Sequence, residues 1–235
     1  MIDSAADLPI GAEVPGWTER PRPPRTPLDG RTCRLEPLDP VRHAADLYAA
    51  FCEDADGVLW TYLPYGPFAS EEAYVDWAKT AALAESDVYF AIIDRESGRA
   101  VGVSGYLRVD PANGSIEVGN IAYAPALQRS VAGTEAQYLL MRRAFDELGY
   151  RRYEWKCNAL NAPSKRAAER YGFSYEGTFR QASVAKGRNR DTAWFSILDS
   201  EWPAVRAGFE AWLDPVNFKE GIQIGRLSQL IEANR

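Results

Sequence analysis

Tyr123 to Ala136 reads Y-A-P-A-L-Q-R-S-V-A-G-T-E-A and runs directly into a stretch where Ala136, Leu140, Ala144 and Leu148 recur every fourth residue. That recurrence, with Met141 and Phe145 beside it, predicts a helix over 134–149 that turns Arg142, Arg143, Asp146 and Glu147 away from its apolar side. Gly149 sits where a helix C-terminus favours a glycine. A turn of small residues feeding a helix start leaves main-chain N–H groups without partners and adds the positive end of the helix dipole. Gln128, Arg129, Ser130, Val131, Ala132, Gly133 and Thr134 therefore suit an anion such as a pyrophosphate. The same turn also occurs in α/β proteins for packing alone, so both readings stand here.

Outward from this turn, Ser115 to Tyr123 precedes it as a strand. Arg151 to Asn158 follows the helix as a second strand, then a short helix runs from Pro163 to Tyr171 ahead of Gly172-Phe173. The order, and the stretches Q-R-S-V-A-G-T-E-A (128–136), N-A-P-S-K-R-A-A-E-R-Y-G-F (161–173), E-G-T-F-R (176–180) and R-D-T-A-W-F-S-I-L-D-S-E-W (190–202), resemble the GNAT superfamily of acyl-CoA-dependent N-acyltransferases, within it the RimJ/RimL-like branch. The resemblance covers roughly residues 30–202. One position departs from the family's Q/R-x-x-G-x-G/A pattern: Gln128 and Gly133 match, but Val131 stands where the first glycine is usual. Valine disfavours a positive φ, which puts the affinity of the turn in question rather than the fold.

The chain has 235 residues, 46% of them hydrophobic, enough for one full core with terminal additions. It carries a net charge of −6 and a pI near 5.0, which argues against a nucleic-acid surface and fits a cationic acceptor. There is no apolar run of membrane-spanning length and no signal-peptide pattern, so a soluble cytoplasmic protein without membrane contact is expected, as monomer or homodimer. Cys33, Cys52 and Cys157 are widely spaced and odd in number, which speaks against a disulfide framework or a zinc site, and no metal is expected.

Prolines at 9, 15, 21, 23, 24 and 27 make residues 1–29 an extended arm. Arg31–Pro37 alternates as a first strand, and a helix from about Val41 to Cys52 puts Ala44, Ala45, Tyr48, Ala49 and Cys52 inward. Ser70 caps a further helix with two acids in its first turn. Val88–Arg95, Ala100–Val109 and Ser115–Tyr123 are strands joined by turn-forming residues, hence antiparallel, while the 134–149 helix is a crossover that makes the next strand parallel. Ser174–Ala185 and Thr192–Leu198, around a turn at Gly187–Asn189, form a last hairpin before a helix over 202–213 and a C-terminal tail. The fold class is thus α/β with a mixed sheet, mostly antiparallel with one splayed parallel pair and helices on both faces. Residues 30–202 form the acyltransferase domain, and residues 203–235 pack on it.

Acyl transfer from a thioester to an amine needs a base more than an acid, because an alkyl ammonium titrates roughly two units above a thiol. The resemblance implies acetyl-CoA as cofactor, its pantetheine arm along the strand Glu117–Tyr123, with a main-chain N–H among Ile121, Ala122 and Tyr123 polarising the carbonyl. Glu117 is the candidate base, directly or through a water; the alternative is a solvent-facing strand glutamate. Gly119 and Asn120 mark a bulge or splay where the cofactor enters.

Asn161 caps the 163–171 helix. Many family members place an acidic tyrosine four residues before the Gly-Phe pair, and here that position is Ala168. RimJ/RimL-like proteins instead carry a serine where Ser164 stands, which implies that Ser164 hydrogen-bonds or protonates the departing thiolate; a serine serving only the helix start is the alternative. Lys165 and Arg166 face either the nucleotide phosphate or solvent. Trp60, Tyr62, Tyr65 and Phe68, crowded in W-T-Y-L-P-Y-G-P-F, are candidates for the acceptor pocket or for ordinary loop packing. Arg180 and Arg190 are weaker candidates for an acceptor anion. His43, the one histidine, has no catalytic motif around it, and Cys157 reads as a small buried residue before an acyl-carrying one. Together these readings point to an N-acetyltransferase acting on a small-molecule amine in preference to a protein N-terminus, with a non-catalytic acyl-CoA-binding module as the reading of another class.

Overall fold

The computed structural model describes residues 10–235, so the first nine residues of the expected arm, Pro9 included, lie outside it. Eight strands form one sheet in the order β1-β2-β3-β4-β5-β6-β8-β7. They are β1 (Leu28–Asp29), β2 (Cys33–Pro37), β3 (Val88–Asp94), β4 (Ala100–Asp110), β5 (Ser115–Tyr123), β6 (Arg152–Asn158), β7 (Ser174–Ala185) and β8 (Arg188–Leu198). Only β5 and β6 pair in parallel. This is the expected mixed sheet, and the crossover between its parallel members is α3 (Val131–Arg142), continued by a wider turn over Arg143–Glu147.

Strand alternation sends side chains to two cores. Leu35, Phe90, Ile92, Tyr106, Ile116 and Val118 pack with α3, α5 (Trp202–Leu213) and α6 (Leu227–Glu232). Tyr89, Ala91, Val103, Leu107 and Ala122 pack on the other face with α1 (Pro40–Cys52) and α2 (Glu71–Leu83). The C-terminal segment belongs to the first core through Trp202, Val205, Phe209, Trp212, Leu227 and Ile231. A small ribbon of β9 (Phe218–Lys219) and β10 (Ile222–Gln223) lies between α5 and α6. From residue 10 to 27 the chain has no helix or strand, as the prolines require. It is nonetheless tied down: Tyr150 donates to the Pro21 carbonyl at 3.1 Å and Trp17 to that of Ala112 at 2.9 Å.

Several expectations are corrected. The inner side of α1 is His43, Ala44, Leu47, Ala50 and Phe51, leaving Ala45, Ala49 and Cys52 outside. Alanines cannot set the phase of a helix, whereas Leu47 and Phe51 bury far more apolar area and decide it. α3 begins at Val131, not Thr134, because the Ser130 hydroxyl accepts from Gly133 N at 2.9 Å and caps the helix three residues early. Arg143, expected to face away, is buried and donates to the carbonyls of Thr26 and Pro27 at 2.7 and 3.0 Å, fastening the arm. β8 begins at Arg188, since Lys186 and Gly187 both take positive φ and turn the hairpin in two residues.

Candidate active site

β5 and β6 are hydrogen-bonded from Ser115↔Arg152 to Val118↔Trp155, and there the ladder stops. On its other side β5 carries a bulge: Gly105 faces Gly119, but Val103 faces Ala122, so Ser104 alone opposes Asn120 and Ile121. Asn120 takes a φ of 50° to make it, and donates to the Tyr89 hydroxyl at 2.5 Å. The bulge swings Gly119–Tyr123 off β6 and opens a V in the sheet with one unpaired main-chain edge. A cleft of about 1160 Å³ fills that V, lined by Gly119, Asn120, Ile121 and Tyr123 on one limb and by Lys156, Cys157 and Asn158 on the other. The expected splay at Gly119–Asn120 lies at this bulge.

The turn 128–134 closes one end of the cleft. Ser130 Oγ and O take the N–H groups of Gly133 and Thr134, and Gln128 spends its amide on the Tyr123 carbonyl at 2.9 Å. Among the described residues no acceptor meets the N–H groups of Arg129, Val131 and Ala132. The positive φ of the turn, 58°, falls on Arg129, and Val131 is an ordinary first helical residue. Gly133 is required for closeness, because a Cβ there would stand 2.6 Å from the Leu127 carbonyl oxygen.

The start of α4 (Ala162–Arg170) enters the same end. Asn161 caps it by accepting from Ser164 N at 3.1 Å. Ser164 Oγ accepts from Trp155 Nε1 at 3.0 Å, which fixes the oxygen and leaves its own proton available to the cleft. Burial pushes the Cys157 thiol up, so it stays protonated at neutral pH. Arg166 lines the cleft and Lys165 does not, one residue being a 100° rotation on a helix. Arg170, four residues on from Arg166 and overlooked in the sequence, lines it too and donates to Thr134 Oγ1 at 3.2 Å. The i, i+4 spacing was the signal that would have found it.

Glu117 lies deeper, only 3% exposed, on the face that α1 and α2 cover in part. Its Oε1 accepts from Arg108 Nη1 at 2.6 Å. Its Oε2 stands 2.9 Å from Lys156 Nζ, an ion pair without hydrogen-bond alignment. Lys156 is 7% exposed, 2.7 Å from Glu154 Oε2, with its ammonium 3.7 Å above the Trp194 ring. Burial raises the Glu117 carboxyl above its ordinary value, opposed by Lys156 and Arg108, with burial the stronger influence. Arg108 and Lys156 escaped the sequence reading because neither belongs to a local motif; they meet Glu117 only through the registers of β4 and β6.

Of the acceptor-side aromatics, Tyr62 lines the cleft. The placement of Trp60, Tyr65 and Phe68 is corrected: they interlock with Tyr74 and Trp77 in an aromatic cluster behind it, ring centroids 4.5–6.2 Å apart, where burial of large rings is favourable. Val58, Leu59, Leu63 and Pro64 line the cleft instead. Tyr62 is also tied to the chain after β6, and the β7–β8 tip to the 60–66 loop. Tyr62 donates to the Leu160 carbonyl at 3.3 Å, and Lys186, at the β7–β8 tip, donates to the carbonyls of Trp60, Tyr65 and Gly66 at 2.8, 3.2 and 2.7 Å. Ala122, Val131 and Ala132 are not among the residues that line the cleft, and Arg190 lines it while Arg180 does not. His43, on α1, is paired with Glu36 of β2 at 3.2 Å and does not line the cleft.

The family model for the GNAT acetyltransferase domain matches residues 33–174, and the chain belongs to that family. The crystal structure of a GCN5-related N-acetyltransferase from Brucella melitensis is 48% identical and similar at a TM-score of 0.91, over 93% of this chain and 100% of that one. An uncharacterized N-acetyltransferase, p20, of Bacillus licheniformis is 32% identical over 113 residues, which is 48% of this chain and 63% of that protein's length. A RimL ribosomal L7/L12 alpha-N-protein acetyltransferase, 19% identical, shares the fold at a TM-score of 0.63 over 72% of this chain and 91% of that one. Among the described residues no helix is long and apolar enough to cross a membrane, and no cluster of three or more His, Cys, Asp or Glu is fit to hold a metal.

Proposed function

We propose that this chain transfers an acetyl group from acetyl-CoA to a small primary amine, by direct attack while both are bound. The observation that carries the reading is the opened sheet beside three main-chain N–H groups with no protein partner, those of Arg129, Val131 and Ala132. That cradle fits a diphosphate: the donors converge at a helix start, Gly133 keeps the Cβ space clear, and Arg129, Arg166 and Arg170 supply positive charge around it. Lys165 lies outside this set.

Acetyl-CoA supplies the acetyl group as a thioester, whose C–S bond breaks as the amine nitrogen forms the amide. The free edge of β5 would hold the carrier, and a main-chain N–H between Ile121 and Tyr123 would supply the donor that polarises a thioester carbonyl. Glu117 takes the amine's proton through a water, since little of it is exposed and its Oε2 is buried against Lys156. Ser164, its oxygen held by Trp155, hydrogen-bonds the departing thiolate, which draws its proton from solvent. A compact amine fits the apolar wall that Val58, Leu59, Leu63 and Pro64 give the acceptor side. The experiment is thiol release from acetyl-CoA across a panel of amines, with calorimetric binding of CoA and Glu117→Gln as control. Turnover that Glu117→Gln suppresses while CoA still binds is expected. CoA binding with no amine turned over would instead make the chain a non-catalytic acyl-CoA module, and turnover confined to peptides would make it a protein N-terminal acetyltransferase.

A further inference from the structure

Six non-glycine residues hold a positive φ among those described, and three of them, Arg108 at 45°, Asn120 at 50° and Arg129 at 58°, line this one cleft. Strain of this kind persists where the surrounding fold enforces it, and it concentrates at functional sites. Asn120 makes the bulge and Arg129 shapes the anion turn. Arg108 makes a second bulge, where the β4–β5 register slips between Leu107 and Asp110, and its guanidinium lines the cleft.

Its contacts are one-sided. Nη1 donates to Glu117, yet 62% of the side chain is exposed, and Nε and Nη2 meet no acceptor among the described residues. Lys156, the neighbouring cation, is enclosed by Glu117, Glu154 and the Trp194 ring and has no charge to spare. Arg129, Arg166 and Arg170 stand at the anion turn and along α4. Arg108 is therefore the cation beside the candidate base that still has a complete donor edge, and a guanidinium edge fits a carboxylate in two parallel hydrogen bonds.

We propose that the acceptor is a free α-amino acid, its ammonium directed to Glu117 and its carboxylate held on the Nε–Nη2 edge of Arg108. This deepens the acetyltransferase reading and rests on it. One guanidinium touches Glu117 and the open space together, which suits an anion only a few bonds from the amine. Val58, Leu59, Leu63 and Leu107 give the side chain an apolar wall. A peptide N-terminus lacks that carboxylate, because its carbonyl is an amide.

The test compares the common L-amino acids with their amides, and L-leucine with isoamylamine, by thiol release. Binding of N-acetyl-L-leucine to the CoA-loaded protein is read separately by calorimetry. The free acid is expected to exceed amide and amine by about a hundredfold in kcat/KM, the discrimination of a site with a polar group left unpaired by the wrong ligand. Arg108→Gln is expected to erase that ratio, the free acid losing about a hundredfold more than the amine, and Arg108→Lys to restore little of it because the two-pronged geometry is lost. Equal use of acids, amides and amines by the wild type, or an equal loss of all three in Arg108→Gln, overturns the proposal. N-acetyl-L-leucine binding that depends on Arg108 without any turnover would uphold the carboxylate site and defeat the acetyl-transfer reading; neither binding nor turnover of amino acids defeats the site.

Discussion

The wall of the cleft between Tyr123 and Thr134 is one continuous segment that presents main-chain N–H groups, whereas the facing wall takes Arg108 from β4, Glu117 from β5, Lys156 from β6 and Tyr62 from the loop after α1. The first wall has the same donors whatever most of its side chains are, and so suits a carrier that never varies. The second is an assembly of charges whose worth depends on each partner, and so it is where reactivity and choice of acceptor reside. A substitution on the first wall should matter only where a Cβ intrudes. On the second, nearly every truncation should be felt.

The hardest blow to the second wall is Glu117→Gln. It keeps the shape but removes the proton acceptor, and kcat/KM is expected to fall about 10²–10⁴-fold, the range of general-base catalysis, with CoA affinity unchanged by calorimetry. The comparison breaks if activity survives. On the first wall, Gly133→Val brings a Cβ within 2.6 Å of the Leu127 carbonyl. Overpacking of this kind costs about 1–3 kcal/mol, so CoA affinity should fall about ten- to a hundredfold. Val131→Ala should leave affinity within about threefold, since the N–H it presents survives. A large loss in Val131→Ala with none in Gly133→Val would mean that side chains hold the carrier.

Smaller effects sharpen the contrast through pH. A base must be ionised, so activity is expected to fall as pH drops through the Glu117 pKa, which burial holds above the ordinary carboxylate range. Lys156→Met removes the foremost lowering influence and should move that acid limb to higher pH, with the loss several-fold below neutrality and slight well above it. A limb that stays in place would detach Lys156 from the base. Ser164→Ala takes the acceptor from Trp155 Nε1 and a hydrogen-bond donor from the sulfur side. Because a thiolate leaves readily, kcat should fall only about three- to tenfold, and stability by about 1 kcal/mol in a denaturation titration.

How much of this was legible follows the same division. The turn 128–134, the Ser70 cap, the three antiparallel strands and the crossover all rest on residues adjacent in the chain, and their outlines match the structure to within a few residues. Where α1 was misread, the pattern was ambiguous, with alanines at several phases and only Leu47 and Phe51 large enough to choose. The aromatic run W-T-Y-L-P-Y-G-P-F announces bulk but not direction: Tyr62 reaches the cleft, while Trp60, Tyr65 and Phe68 turn to Tyr74 and Trp77, which lie on another element. Glu135 is a similar case on α3. Its carboxylate gathers the main-chain N–H groups of Arg31, Thr32 and Cys33 at 2.7, 2.6 and 3.1 Å, a clamp between residues a hundred positions apart.

What the sequence determined by itself is therefore the order of elements, the family and the shape of the turn at 128–134, since each is written in short-range spacing that the backbone converts directly into periodicity, caps and free donors. The tertiary structure alone decided that Arg108 and Lys156 flank Glu117, that Arg170 joins Arg166, and that Lys186 reaches across to the 60–66 loop. Those meetings depend on strand register and on a bulge at Asn120, and a shift of one residue in either would send the same side chains to the opposite face.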